Sequence, residues 1–461
     1  MQTMFSTGNR MALCSARSVY FDLAGGEICA GNLEYAADFL REQLAEAARC
    51  ESDLPRRMED LGEWMQSNVE QVGKSYRAYL ADRKTGGGRR YFSSKAHALN
   101  FLQLVAPTKL VDGAWLYGLL QHWQDSRFAS LIQTYLEELG EGQPSKNHVV
   151  LYRKLLASQG CELRDDLDDE IYVQGAIQLG LAHLADRFLP EIVGFNLGYE
   201  QLPLHLLITA YELKELGIDP YYFTLHVTVD NADSGHAKQA VDAVFAAMPR
   251  LGDGEEFWRR VRNGYNLNFL GARTESVIEL FDLEREMIAI FARKAIFGQY
   301  AHSDYRRVAG RTVNDWLSHP AQIAEFIRAM ENEGWFRRGE NPQNSRFWKL
   351  IEGEKAKMFG VFSAYEQQII YDWIAADAVR DFARPNASRV SSQSKRELLD
   401  AQNTDENNTD FDAEINALEE SLASSTGRKE TVATLIAAMS PACHHSSAGL
   451  KATRIFSEIW R

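Results

Sequence analysis

Cysteine is scarce in this chain and follows no pattern. Its five residues, Cys14, Cys29, Cys50, Cys161 and Cys443, are scattered and form no C-x-x-C pair. That spacing excludes a disulfide framework and fits a reduced, cytoplasmic protein. Basic residues are in deficit: 50 Lys and Arg against 64 Asp and Glu leave a net charge of −14, so no nucleic-acid footprint is expected. No apolar run reaches the roughly 20 residues of a membrane span. The N-terminus lacks the uninterrupted apolar core of a secretion signal. The expected setting is therefore soluble, with no membrane partner.

What is present is helical pattern. At 461 residues the chain is long for one domain, and a hydrophobic fraction of 45% is ample for a large core. Residues 33–53 and 58–83 carry apolar positions at helical spacing, rich in Ala and Glu. Residues 1–90 read as a helical extension. The break KTGGGRRYFSS, residues 84–94, has three glycines beside basic residues. Such a run can cradle a phosphate, but it lacks Walker spacing and reads better as a connector. Residues 97–123 are apolar over most of their length and should be buried, with Pro107 dividing two helices. Trp115 and Trp123 belong to the core there, and His97 and His122 read as structural histidines. In residues 131–156 a helix ends at Glu137 and Glu138 and breaks at Gly140, Gly142 and Pro144. A second helix begins near Ser145, a candidate N-cap, with His148 in its first turn. Asp165, Asp166, Asp168 and Asp169 favour a helix start. That helix runs to about Phe188 and stops before Pro190, and another from Glu191 holds Tyr199 and Glu200 in apolar surroundings. A carboxylate there is costly unless paired or metal-bound, which singles out Glu200.

The densest chemistry lies in FTLHVTVDNADSGHA, residues 223–237. On a helix, His226, Asp230 and Asp233 fall at about 0°, 40° and 340°, one narrow face. His236, at about 280°, joins them if the helix is distorted near Gly235. Imidazoles and carboxylates converging on one face suit a divalent transition metal; the plainer reading is a solvated polar face.

Taken together, E-x-G-x-G-x5-H from Glu138 to His148, the GYE of Tyr199 and Glu200, and Y-F-x-x-H-x3-D…H from Tyr222 to His236 resemble the haem-oxygenase-like di-iron oxidases and oxygenases. The resemblance covers roughly residues 95–300. It implies an all-α, haem-oxygenase-like bundle that needs no haem and holds two irons, cycling between Fe2+ and Fe3+, on histidines and carboxylates. By resemblance the metal ligands are Glu138, His148, Glu200, His226, Asp230 and His236, with Glu200 bridging the irons. The family's H-x3-D-x2-H is altered here: Asp230 keeps the first spacing and Asp233 the second. Asp230 is preferred as ligand and Asp233 is its substitute or neighbour; Glu200 and Asp233 are assigned to the chemistry. Glu141 and Glu191 are fallback carboxylates. Such proteins use O2 as co-substrate, and two irons supply two electrons without an organic cofactor.

The remaining chain is less specific. Arg259, Arg260 and Arg262 could clamp a substrate carboxylate if they face the site, or form an exposed basic face. The division expected is an extension over 1–90, the di-iron core over 91–300, a helical addition over 301–385, a linker over 386–412, rich in Ser, Asn and Asp, and an apolar docking segment over 413–461. That last segment would pack on the main body or on a second copy in a homodimer. His302 and His319 are isolated, and adjacent Cys443, His444 and His445 rarely chelate together. The function expected is O2-dependent oxidation of a small amino-acid-derived molecule, by N-oxygenation or oxidative C–C or C–N cleavage, in specialised-metabolite biosynthesis. The alternatives are a fatty-acid oxidative decarboxylase or desaturase of the same fold, a haem-handling or cofactorless relative, and a non-catalytic helical interaction protein.

Overall fold

The computed structural model describes residues 14–25, 27–164, 166–201, 203–229, 235–298, 300, 302, 305–380 and 413–461. The fold is all-α, apart from a short hairpin of β1 (Arg307–Val308) and β2 (Arg311–Thr312). No helix among the described residues is long and apolar enough to cross a membrane.

In chain order the helices are α1 (Ala16–Ala24), α2 (Ala30–Ala47), α3 (Leu61–Lys84), α4 (Lys95–Leu104), α5 (Ala106–Lys109), α6 (Ala129–Glu138), α7 (His148–Ser158), α8 (Asp169–His183), α9 (Ala185–Tyr199), α10 (Leu204–Glu215), α11 (Tyr221–Val229), α12 (His236–Ala247) and α13 (Gly254–Asn266). The N-terminal helices lie on this body. Asp169, in the first turn of α8, accepts from the backbone N–H groups of Ala16 and Arg17 and from the Ser15 hydroxyl, so it also holds the start of α1. Helices α9 and α13 cross backbone to backbone: a Cβ on Gly194 would lie 1.8 Å from the Val261 carbonyl oxygen, so only glycine fits there.

Several boundaries differ from the sequence reading, each for a local reason. After Pro107 the buried stretch continues as a 3-10 helix, Ala114–His122, because Gly113 takes a left-handed conformation (φ 80°) and resets the chain. The α8–α9 break falls at Leu184, not before Pro190; Pro190 sits inside α9 behind a non-helical Phe188, where its missing N–H costs one helical bond. The N-cap of α7 is Asn147, not Ser145, and its side chain accepts from Val150 N–H. His226 and His236 do not share one helix: α11 ends at Val229, Gly235 is extended (φ −86°, ψ −172°), and His236 opens α12.

The glycine-rich break at 84–94 has its own anion. The N–H groups of Arg90, Tyr91 and Phe92 converge on the carboxylate of Glu212, which also accepts from the Tyr79 hydroxyl at 2.8 Å. A carboxylate from α10 thus takes the place a phosphate would need. His97 is structural: Nε2 lies 2.9 Å from the Ile278 carbonyl oxygen and the ring stacks on Phe281. Beyond α13, helix Ala364–Ala375 supplies Asp372, which accepts from the Ala96 N–H at the start of α4. The helices Arg428–Ala438 and Ser447–Trp460 pack back on the body, where Trp460 Nε1 donates to the Trp123 carbonyl. The expected linker over 386–412 lies outside the described residues.

Candidate metal centre

The site is built where α6 ends and α7 begins. Glu138 is the last residue of α6 and His148 the first of α7. Between them Gly140 (φ 63°), Glu141 (φ 50°) and Gly142 (φ 78°) are consecutive left-handed residues, which turn the chain back so that both side chains enter the same interior. Asp112 reaches that interior from the loop before the 3-10 helix. Its neighbour Gly113 leaves no room for a side chain, since a Cβ there would sit 2.8 Å from Glu138 Cβ. His226 comes from α11, Glu200 caps the C-terminus of α9, and His236 starts α12.

Two groups of potential ligands result. Asp112, Glu138, His148 and His226 form one and Glu138, Glu200 and His236 the other; within each, the donor atoms lie within 4.8 Å of one another and every residue is buried. Glu138 belongs to both. Its Oε2 approaches His148 Nδ1 to 2.5 Å, yet neither atom has the alignment of a hydrogen bond. An imidazole nitrogen and a carboxylate oxygen this close without such a bond are both open to a shared cation.

The imidazoles are oriented for ligation. His226 Nδ1 donates to the Tyr222 carbonyl oxygen at 2.8 Å, and a carbonyl only accepts, so this nitrogen carries the proton. His226 Nε2 then faces Asp112 Oδ2 at 3.1 Å. His236 Nε2 lies 2.5 Å from Glu137 Oε2, while Nδ1 faces Glu200 Oε2 at 3.0 Å and Glu138 Oε1 at 3.8 Å. One ring nitrogen anchored on an acceptor and the other turned to the cluster is the pattern of metal-bound histidine. Asp112 is anchored as well: the hydroxyls of Tyr199 and Tyr222 donate to Oδ1 and Oδ2, each at 2.6 Å.

The electrostatics demand cations. With neutral imidazoles, buried Asp112, Glu138 and Glu200 carry three negative charges and half-buried Glu137 a fourth, against Lys109, whose Nζ is 3.9 Å from Asp112 Oδ1, and Arg461, whose charge acts on Glu137. Buried charge of one sign must be neutralised by protons or metal. In the metal-free protein protons do part of this. Burial opposes protonation of His148, but Glu138 and Asp112 outweigh it and push the imidazole up to about 10. Burial would raise the Asp112 carboxyl; Lys109, His148 and His226 hold it well below the ordinary range instead. Burial and the Asp112 charge keep the Tyr199 and Tyr222 phenols protonated, hence donors.

Of the residues singled out in the sequence, Glu138, His148, Glu200, His226 and His236 are brought together. Asp230 and Asp233 lie outside the described residues. The shared carboxylate is Glu138, whereas the resemblance assigned bridging to Glu200, which falls in one group alone among the described residues. The fallback carboxylates are engaged elsewhere: Glu141 pairs with Arg461 and Glu191 with Arg260. Of the expected arginine clamp, Arg259 and Arg260 are engaged elsewhere, whereas Arg262 Nε is buried with no hydrogen-bond partner among the described residues. Arg259 pairs with Glu256, and Arg260 with Glu191 and the Arg187 carbonyl. Asp112 and Glu137 were missed. Asp112 had a readable signal, being the sole carboxylate in the buried stretch 97–123; Glu137 had none that set it apart from a surface glutamate.

All of these residues, from Asp112 to His236, lie in one segment that can be compared with known proteins. Residues 99–269 match the family model of the iron-containing redox enzymes. The matched segment begins within α4, takes in α5, the 3-10 helix and α6 to α13, and leaves out α1 to α3 and everything after Phe269. No curated protein and no solved structure matches the chain.

Proposed function

We propose that the protein is a non-haem, di-iron, O2-dependent oxygenase or oxidase. The observation that carries the reading is the carboxylate Glu138 shared by two buried groups of carboxylate and imidazole donors. Asp112, His148 and His226 would hold one iron, Glu200 and His236 the other, with Glu138 between them. Mixed oxygen and imidazole donors suit iron over magnesium or calcium. Bound there, a pair of ferrous ions supplies two electrons to O2 without an organic cofactor.

The chain's own residues have separate tasks. The Tyr222 carbonyl and Glu137 fix the ring orientations of His226 and His236. Tyr199 and Tyr222 hold Asp112 by hydrogen bonds. Trp115, its ring centroid 4.3 Å from that of Tyr199, and Tyr152, 4.7 Å from Tyr222, wall the cluster with aromatic surface that limits water entry. Lys109, 3.1 Å from the Tyr199 hydroxyl, is a cation beside the cluster that could meet an anionic group of a substrate.

The substrate class we favour is a small amino-acid-derived molecule, oxidised at nitrogen or cleaved at a C–C or C–N bond. Lys109 supports a carboxylate-bearing substrate, a feature that a fatty acid shares. Anaerobic loading with Fe(II) followed by metal analysis tests the centre: about two irons per chain are expected, and no specific uptake would refute it. O2-dependent incubation with amino acids, amines and fatty acids, read by mass spectrometry, tests the substrate. Gain of oxygen on nitrogen or loss of a small carbon fragment supports the proposal, and turnover of fatty acids alone would replace it with the decarboxylase reading.

A further inference from the structure

The C-terminal segment lies outside the matched residues 99–269, yet it touches both helices that carry Glu138 and His148. Tyr135, one turn before Glu138 and fully buried, donates its hydroxyl to the Met439 carbonyl at 2.6 Å. Gly142, in the turn between the two ligands, packs so tightly on helix Ser447–Trp460 that a Cβ would lie 2.4 Å from the Leu450 carbonyl oxygen. At the turn's far end is Asn147, with no exposed surface. Its Oδ1 accepts from the Val150 N–H at 3.0 Å, which caps α7 and fixes the amide orientation. Its Nδ2 then faces two acceptors, the Leu139 carbonyl at the end of α6 (3.3 Å) and Nδ1 of buried His444 (3.2 Å). All three contacts of the Asn147 amide are thereby committed: one to α6, one to α7 and one to the C-terminal segment.

We propose that the C-terminal segment is part of the scaffold of the metal centre, with His444 acting through Asn147 as a positioning residue that sets the interval between Glu138 and His148. The proposal rests on the metal-centre reading above. These two ligands are joined by a nine-residue turn with three left-handed residues, and metal–ligand distances keep within about 0.2 Å of their ordinary values. Burial pushes the His444 imidazole down to about 3, so the ring is neutral at ordinary pH and Nδ1 accepts. The imidazole therefore serves as a fixed acceptor, and a side chain that offers an acceptor at the same place should replace it.

The test is Co(II) titration of the full-length protein, read by d–d absorption, which reports coordination geometry as well as affinity. His444→Phe keeps an aromatic ring and removes the acceptor. Its Co(II) dissociation constant should rise about tenfold, the low end for groups that orient ligands, with a changed d–d spectrum and unchanged far-ultraviolet circular dichroism. His444→Gln, whose side-chain carbonyl can accept, should restore most of the affinity and the spectrum. Asn147→Ser keeps an N-cap but loses both donors; it should weaken Co(II) binding similarly, and the double variant should be no weaker than the weaker single one, because the two act through one contact. If His444→Phe does not fold, Asn147→Ser carries the test under the same criterion. Wild-type affinity and spectrum in the variants would overturn the proposal alone. Failure of the wild-type protein to bind Co(II) would overturn the metal centre and this inference with it.

Discussion

Gly113→Ala should damage the metal centre without altering a ligand. Two effects are separable. The first is backbone strain: φ at Gly113 is 80°, and a left-handed alanine costs about 1–2 kcal/mol. The second is local. The new methyl carbon would lie 2.8 Å from Glu138 Cβ and 3.0 Å from its Cγ, where ordinary contact begins at 3.4 Å. Glu138 or the Asp112–Gly113 backbone must therefore yield by about 0.6 Å, more than the roughly 0.2 Å by which metal–ligand distances depart from their ordinary values. Because Glu138 belongs to both ligand groups, metal binding at either group should be affected, with affinity reduced at least tenfold, or about 1.4 kcal/mol. Gly310→Ala is the matched control: φ is 77° and nothing lies within 4 Å of the added carbon. Thermal melting of metal-free protein and Co(II) titration are measured for both variants. Gly310→Ala should lose only the strain-sized stability and Gly113→Ala about 1–3 kcal/mol more from the clash, with loss of metal affinity confined to Gly113→Ala. If Gly113→Ala binds metal like Gly310→Ala, the packing of Gly113 against Glu138 does not position the shared ligand.

Tyr222→Phe removes the hydroxyl that donates to Asp112 Oδ2 at 2.6 Å and should destabilise metal-free protein by about 1.5–3 kcal/mol, the range for hydrogen bonds to a charged group; an unchanged urea midpoint would count against the network. Glu212→Gln replaces one acceptor oxygen by an amide NH2 donor where three backbone N–H groups now point at a carboxylate. It should lower stability by about 1–3 kcal/mol and leave metal stoichiometry intact, whereas loss of metal would show that the 84–94 connector reaches the centre. Burial pushes His183 down to about 4 and His444 to about 3, so below their ordinary value of 6.5 the unfolded chain binds protons that the folded chain refuses. Their contribution is full above pH 6.5 and shrinks as pH falls toward 4, while that of His148, pushed up to about 10, is full below 6.5 and shrinks as pH rises toward 10. The melting temperature of chelator-treated protein should therefore peak near pH 6.5, and a flat profile from 6.5 to 4 would contradict the burial of these imidazoles.

Helical periodicity made the all-α class legible, because it needs only local sequence, and most ligand-bearing residues carried local signals too. Glu200 stood out as a carboxylate in apolar surroundings, and Glu138 and His148 as residues flanking a glycine-rich break. Exact boundaries were less legible. Ser145 and Asn147 are both acceptable N-caps, and the choice fell to Asn147, whose amide also reaches Leu139 and His444. No local pattern announces a partner almost 300 residues away. The placement of His236 was less legible for a related reason: the reading assumed that Gly235 distorts a continuing helix, whereas Gly235 is the extended N-cap of α12 and His236 is its first residue.

Asp112 shows where local reading stops short and where it could have gone further. The argument that singled out Glu200, that a lone carboxylate in an apolar run is expensive unless paired, applies with equal force to the sequence LVDGAWL around Asp112. What the sequence withheld was the pairing. The phenols that donate to Asp112 stand at 199 and 222 and the imidazole facing it at 226, on helices α9 and α11, far along the chain from it. A tyrosine in an apolar helix is ordinary core, so neither phenol marks itself as a donor. Gly113 was the remaining clue, since a glycine directly after a buried acid permits the close backbone approach that Glu138 exploits. Asp112 and Glu138 could therefore be read as a pair only once the turn at Gly113 and the turn at residues 140–142 were known to face each other.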